Sequence, residues 1–139
     1  MSEDLKKYFK ESVIKANRDG SESKNSKLLY EGHDYIAVLT EADEIVYYNT
    51  HHINSFTENT KQKVDFDIVV PENFKEAENF NDLLKLLKYH WVKINHGHSE
   101  AVKGVICEIK DDTVHMVSNE EFVRIPLFHV HYVSYWSKN

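Results

Sequence analysis

An internal repeat is the feature of this sequence that most constrains its fold. A shift of 78 positions aligns Phe9–Thr40 with Leu87–Ser118, and apolar positions stay in step along the alignment. After a one-residue change to a shift of 77, the register continues through the last strands. The identical pairs are Lys10/Lys88, Lys15/Lys93, Asn17/Asn95, Ser21/Ser99, Glu22/Glu100, Asp34/Asp112, Glu44/Glu121, Val46/Val123 and His52/His129. The pattern indicates a tandem duplication.

Each copy shows the same succession of elements. A charged, helix-like stretch opens it, Glu3–Glu11 in the first copy and Asn79–His90 in the second, with Asn79 or Asn81 as the expected cap. Five short β-rich runs separated by turn residues then follow. These runs are Val13–Asn17, Lys27–Glu31, Tyr35–Thr40, Ile45–Tyr48 and His52–Phe56 in the first copy, and Trp91–Asn95, Val105–Lys110, Thr113–Ser118, Phe122–Leu127 and His129–Val133 in the second.

The predicted fold is mainly β with short helices (α+β), a tandem pair of small five-stranded Sm-like or SH3-like barrels packed together. Residues 1–58 form the first barrel, 59–78 a connector and 79–139 the second barrel. The apolar residues Phe66, Ile68, Val69 and Val70 predict that the connector adds an extended segment to the core. Pro126 predicts that its strand ends there or lies at a sheet edge, because proline cannot donate to a central ladder.

Charge and composition exclude several function classes. There are 17 Lys and Arg against 23 Asp and Glu, a net charge of −6, and only Arg18 and Arg124 are arginine, so nucleic-acid binding is not expected. No segment has the roughly 20 apolar residues of a membrane helix, and Met1–Lys10 is too charged for a signal peptide. We therefore expect that the chain is made in the cytosol and does not associate with a membrane.

Catalysis, metal binding and cofactor binding are also not predicted. Nine histidines include His96, His98, His51 and His131, but no zinc-type spacing accompanies them, and buried rings that bond to the backbone are the simpler interpretation for His52 and His129. Asp34 and Asp112 fit hairpin turns, where the carboxylate bonds nearby backbone amides. Cys107, the single cysteine, lies in an apolar run and is expected to be a small buried hydrophobe.

Two kinds of surface are candidates for binding partners. The loops that carry Ser21, Glu22, Ser99 and Glu100 recur in both copies outside the strands, so these four residues are candidate partner-docking loops. Exposed strand edges are the second kind, because the edge of an open barrel can accept a partner strand by main-chain hydrogen bonding.

The same segments resemble the spore coat protein B family of Bacillus-type endospore formers. The residues that carry the resemblance are Leu84–Asn95, Gly97–Ala101, Val123–Val130 and Tyr47–Ser55. Serine stands at Ser21 and Ser99 where the family loop typically has proline, so a looser turn is expected. Tailed family members continue into a Ser/Lys/Arg-rich segment. The printed chain stops at Asn139 without it, and we do not expect roles of that tail to carry over.

The resemblance implies a non-enzymatic structural component of the endospore coat. Its implied location is the spore coat, and its implied partners are other coat proteins, with self-association as a further expectation. The alternative is a soluble Sm-like or SH3-like adaptor that binds peptide or, less in keeping with the acidic charge, RNA.

Overall fold

The computed structural model describes residues 13–16, 26–52, 56–59, 70–95 and 101–137. Within these residues the fold is mainly β, with one short helix, α1 (Phe80–Leu86). The first five strands are β1 (Val13–Ala16), β2 (Ser26–Glu31), β3 (Tyr35–Thr40), β4 (Glu44–Asn49) and β5 (Phe56–Asn59). The remaining strands are β6 (Trp91–Ile94), β7 (Val102–Lys110), β8 (Thr113–Ser118), β9 (Glu121–Pro126) and β10 (Tyr132–Trp136).

The ten strands of the described residues form one sheet, in the order β5-β1-β2-β3-β4-β10-β6-β7-β8-β9. The first five strands and the last five follow the same internal order, with the fifth strand beside the first. The halves meet where β4 pairs antiparallel with β10, from Tyr48 opposite Tyr132 to Glu44 opposite Trp136. The predicted mainly β fold with a short helix is confirmed, whereas the division into two barrels stays a prediction.

Local irregularities recur in the two halves at the repeat spacing. The β2–β3 register shifts between Leu28 and Tyr30, and the β7–β8 register shifts 78 residues later, between Ile106 and Glu108. Short 3-10 helical turns, Thr50–His52 and Leu127–His129, follow β4 and β9. A bulge or turn of this kind can form at many points of a hairpin. Its recurrence at one spacing therefore follows the sequence repeat rather than general sheet geometry.

Those 3-10 turns correct the predicted fifth runs. His52–Phe56 and His129–Val133 were expected as strands, but His52 and His129 lie in the turns, and the strands begin at Phe56 and Tyr132. In the second half, the backbone N–H of Val130 donates to the carbonyl of Leu127 at 3.0 Å and closes the turn. The prediction for Pro126 is confirmed, since β9 ends at this residue and lies at one end of the sheet.

Helix α1 is shorter than the predicted Asn79–His90. Leu87 caps its C-terminus, and Tyr89 adopts a left-handed φ of 71°, which turns the chain into β6. The predicted N-cap at Asn79 is confirmed, because its side-chain oxygen accepts from the backbone N–H of Asp82 at 2.8 Å. The other predicted helix, Glu3–Glu11, lies outside the described residues.

Strands β3 and β4 are buried at every position because both of their faces are covered. One face packs around Leu28, Val38 and Val46 in the first half, together with Tyr132 on β10. The opposite face joins the larger cluster, which includes α1 and the second half of the sheet. Double burial explains why both strands lack the alternation of polar and apolar residues that a half-exposed strand would show.

The described part of the connector lies against that larger cluster. Phe74 and Ala77 pack on the core, but Val70, the one described residue of the run predicted to do so, is 57% exposed. The other apolar residues named for this role, Phe66, Ile68 and Val69, lie outside the described residues.

Candidate functional site: the strand junction and the sheet edge

The four predicted docking residues, Ser21, Glu22, Ser99 and Glu100, all lie outside the described residues. Their role stays a prediction. The structure does describe the junction between β4 and β10, and the two ends of the described sheet at β5 and β9.

The described histidines do not form a cluster suited to a metal ion. Within the described ranges, no group of three or more His, Cys, Asp or Glu side chains converges. The rings of His52 and His131 stack with centroids 4.1 Å apart, and the His52 Nε2 contacts the carbonyl oxygen of Phe128. His52 thus bonds to the backbone as expected, but His129 is exposed, and the expectation of a buried ring there is wrong. His96 and His98 lie outside the described residues.

The other candidates for chemistry have structural surroundings. The Asp34 Oδ1 accepts from the backbone N–H of Phe80 at 2.7 Å, so this carboxylate holds the start of α1 rather than the amides of its own hairpin. Asp112 is exposed in a turn at a φ of 55°. Cys107 is half-buried rather than fully buried, and its Sγ lies 3.8 Å from the carbonyl oxygen of Val105.

A buried ion pair crosses the junction between the two halves. Lys93 on β6 donates to Glu44 on β4, across the intervening strand β10, and both side chains are less than a tenth exposed. The Lys93 Nζ also lies 4.8 Å from the ring centroid of Trp136. This pair favours the observed order, in which β10 lies between β4 and β6, because any other order would leave a buried charge without its partner.

Three tyrosine hydroxyls hold the connector across the same junction. The Tyr35 hydroxyl donates to the carbonyl of Ala77 at 2.6 Å and accepts from its N–H at 2.9 Å. The Tyr47 hydroxyl contacts the N–H and carbonyl of Lys75, at 3.0 and 2.7 Å, and Tyr135 donates to the carbonyl of Asn73 at 2.9 Å. The bonded positions 73, 75 and 77 alternate, which is the spacing of an extended chain.

Burial raises the pKa of all three phenols. The pKa of Tyr35 rises to about 12, mainly through desolvation, although the bond to Ala77 acts in the opposite direction. Desolvation also raises the pKa of Tyr47 and of Tyr135, whose hydroxyl oxygens lie 2.8 Å apart. These hydroxyls therefore remain neutral hydrogen-bonding groups, suited to a structural contact.

An exposed apolar stripe crosses the second half of the sheet. Trp91, Val105, Val117 and Phe122 are direct cross-strand neighbours from β6 to β9, so their side chains share one face. Trp91, Val117 and Phe122 are 51%, 42% and 54% exposed. An open groove of about 430 Å³ begins at Trp91 and extends to Glu121 on β9. The stripe itself reaches the end of the sheet at Phe122 on β9.

Sequence reasoning did not single out Glu44, Lys93 or the three tyrosines as contact residues. A signal for the charged pair was present, because Glu44/Glu121 and Lys15/Lys93 are identical pairs in the repeat. The tyrosine contacts carried no such signal, since the residues equivalent to Tyr35 and Tyr47 are Thr113 and Arg124.

These observations define a class of protein: a mainly β protein whose buried polar side chains join its own strands, helix and connector. No helix in the described parts of the chain is long and apolar enough to span a membrane. The chain is 36% identical to spore coat protein B of Bacillus subtilis (strain 168) over 123 residues, which is 87% of this chain and 32% of that protein. This chain is therefore a relative of spore coat protein B, as its sequence resemblance predicted.

The chain spans about a third of the length of that relative. No protein-family model matches this chain.

Proposed function

We propose that this chain is a structural, non-enzymatic component of the endospore coat that acts by assembling with other coat proteins. The observation that carries the proposal is the 36% identity to spore coat protein B over 87% of the chain. The buried ion pair and tyrosine contacts support it, because these polar groups stabilise a sheet rather than line a pocket. The spore coat is the proposed location.

We further propose that residues 1–58 and 79–139 are two copies of one five-stranded, Sm-like or SH3-like barrel unit, linked by residues 59–78. The shared strand order of the halves supports this division. The register shifts at Leu28/Tyr30 and Ile106/Glu108, which recur 78 residues apart, also support it.

The location is tested by fractionation of an endospore-forming host that expresses the tagged full-length chain. We expect the chain in the spore-surface extract of purified spores and its depletion from the vegetative cytosol. Abundance in the vegetative cytosol together with absence from the spore surface would refute the proposal.

The docking loops are tested by charge reversal within the same assay. We expect the double variant Glu22→Lys/Glu100→Lys to lower the amount retained on spores. Glu108→Lys is the control, because Glu108 is an exposed glutamate within strand β7 rather than a residue of either loop. Equal retention of both variants would assign docking to another surface.

A further inference from the structure

We propose that copies of this chain associate head to tail, with β9 of one copy pairing antiparallel with β5 of the next. The inference deepens the proposed function and rests on it in one respect only, that the chain acts by assembly. It identifies the partner as a second copy of this chain and the contact as a continuation of the sheet.

The junction inside the chain is the template for this contact. There, the fourth strand of the first half, β4, pairs with the fifth strand of the second half, β10. The two ends of the described sheet are β5, the fifth strand of the first half, and β9, the fourth strand of the second half. The ends are therefore the same two kinds of strand that already pair at the centre, and one chain presents both.

The template also predicts the register of the new ladder. Ser134 lies opposite Val46 and Trp136 lies opposite Glu44 in the central junction. At the spacing of 77 residues, Thr57 of one copy would lie opposite Val123 of the other, and Asn59 opposite Glu121. The backbone of β5 supports the equivalence, because Thr57 pairs with Lys15 on β1 as Ser134 pairs with Lys93 on β6.

The charges of the central junction recur at the ends of the sheet. The buried pair Lys93–Glu44 corresponds to Lys15 of one copy and Glu121 of another, and each residue type is retained in the repeat. Glu121 is exposed, whereas Glu44 is buried beside β10. Pairing of β9 with a second copy would supply Glu121 with the lysine that its counterpart already contacts.

A second complementary pair takes the place of the two junction tyrosines. Tyr47 and Tyr135 lie diagonally across the β4–β10 ladder, with their hydroxyls 2.8 Å apart. The equivalent positions are Arg124 on β9 and Glu58 on β5. Opposite charges at neighbouring cross-strand positions favour pairing, so the residue types at these equivalent positions are complementary.

The surface around β9 is also suited to being covered. All six positions of β4 are buried, but Glu121, Phe122, Arg124 and Pro126 of β9 are exposed. The apolar stripe ends at Phe122 on this strand, and exposed apolar area of this kind is typical of interaction surfaces. A chain added at β9 would lie directly beside the stripe.

The predicted contact is weaker than the central one at its far end. The N–H of Asn49 donates to the carbonyl of His131 at 2.9 Å, whereas the equivalent of Asn49 is Pro126, which has no N–H. The new ladder would therefore stop at Ile125. A contact between two unlike ends is heterologous, so it produces closed rings or open filaments rather than a symmetric dimer.

Sedimentation velocity of the purified full-length chain over a range of concentrations tests the proposal. We expect species larger than the monomer that grow with concentration. Glu121→Lys and Lys15→Glu, each alone, should raise the apparent dissociation constant by at least about tenfold, because like charges then meet at the contact. Glu108→Lys, an exposed glutamate two strands from the edge, is the control and should not change it.

A mixture of the two charge-reversed variants separates a specific contact from misfolding. In the mixture, the lysine introduced by Glu121→Lys meets the glutamate introduced by Lys15→Glu, so opposite charges face each other again. An equimolar mixture should therefore regain the association that each variant lacks. Circular dichroism should show the wild-type strand signal for both. Association without any effect of the charge reversals, or no recovery in the mixture, would overturn the β9–β5 contact.

Failure of this inference is distinguishable from failure of the proposed function. A wild-type chain that stays monomeric up to its solubility limit refutes self-assembly, even when the same chain is retained on spores by other coat proteins. A chain that associates as predicted but is absent from spores refutes the proposed coat role and leaves the contact intact.

Discussion

Removal of the negative charge of Glu44 is the most direct test of how the two halves are held together. Glu44→Gln keeps the shape of the side chain but leaves the ammonium of Lys93 buried without its carboxylate. Removal of one member of a buried pair costs about 3–5 kcal/mol. The glutamine oxygen still accepts a hydrogen bond. We therefore expect a loss at the lower end of that range, with the free energy of unfolding decreased by about 3 kcal/mol. Small domains are stable by only about 5–15 kcal/mol, so the change is easily measured.

Urea unfolding, followed by circular dichroism at neutral pH, measures this change. Glu41→Gln is the matched control, because Glu41 is exposed in the turn just before β4 and its loss should change stability by less than about 0.5 kcal/mol. The double variant Glu44→Leu/Lys93→Met removes both charges together. We expect it to lie within about 1 kcal/mol of the wild type, since apolar replacement of a whole buried pair is often neutral.

Two results would refute this account of the junction. If Glu44→Gln and Glu41→Gln lose the same stability, the carboxylate of Glu44 does not compensate a buried charge. If the double variant is less stable than Glu44→Gln, the stability of this region depends on the attraction between the charges rather than on avoiding an unpaired one.

Three further predictions concern the sheet, the phenols and the helix. Gly104→Ala should lower the free energy of unfolding, measured in urea, by about 1–3 kcal/mol, because a Cβ at this position would lie 2.1 Å from the carbonyl oxygen of Val117. A variant as stable as the wild type would contradict this close contact between β7 and β8. The pKa of Tyr35 is raised to about 12 in the folded chain, so its neutral phenol stabilises the fold fully below pH 10. Between pH 10 and pH 12 the free energy of unfolding should fall by up to about 1.4 kcal/mol per pH unit. Tyr35→Phe should flatten this part of the alkaline stability profile, and an unchanged slope would refute the assignment. Asn79→Ala should cost about 1 kcal/mol through loss of the helix cap, whereas Asn81→Ala should cost less; equal losses would place the cap elsewhere.

The strands were predictable from the sequence where local pattern decides the structure. The predicted runs Tyr35–Thr40 and Thr113–Ser118 coincide with β3 and β8, because β-branched and aromatic residues there are bounded by turn signals. The fifth strands were placed too early, since the 3-10 turns at Thr50–His52 and Leu127–His129 depend on hydrogen bonds with residues distant in sequence. One such bond runs from the N–H of Leu127 to the carbonyl of Asp112.

The contacts across the junction could not be predicted in the same way. The pair Glu44–Lys93 joins residues 49 positions apart, and the bond between Tyr35 and Ala77 spans 42 positions. Such contacts depend on the order of strands in the sheet, which periodicity within one strand does not determine. The repeat did contain a signal, because the charged residue types are retained at Glu44/Glu121 and Lys15/Lys93.

The difference between the central junction and the proposed terminal contact explains how one sheet geometry could serve both folding and assembly. The central junction joins two halves of the same chain, so each half is present at a high effective concentration relative to the other. In addition to the ion pair, it has the hydrogen bonds of Asn49 and the tyrosine contacts with the connector. The terminal contact retains the charge pairing but loses the bonds of Asn49, and it depends on the concentration of free chains. We therefore expect the central junction to persist in dilute solution, whereas the terminal contact forms only where the protein is concentrated. Dilution that dissolved the assemblies and unfolded the sheet in one transition would contradict this division of roles.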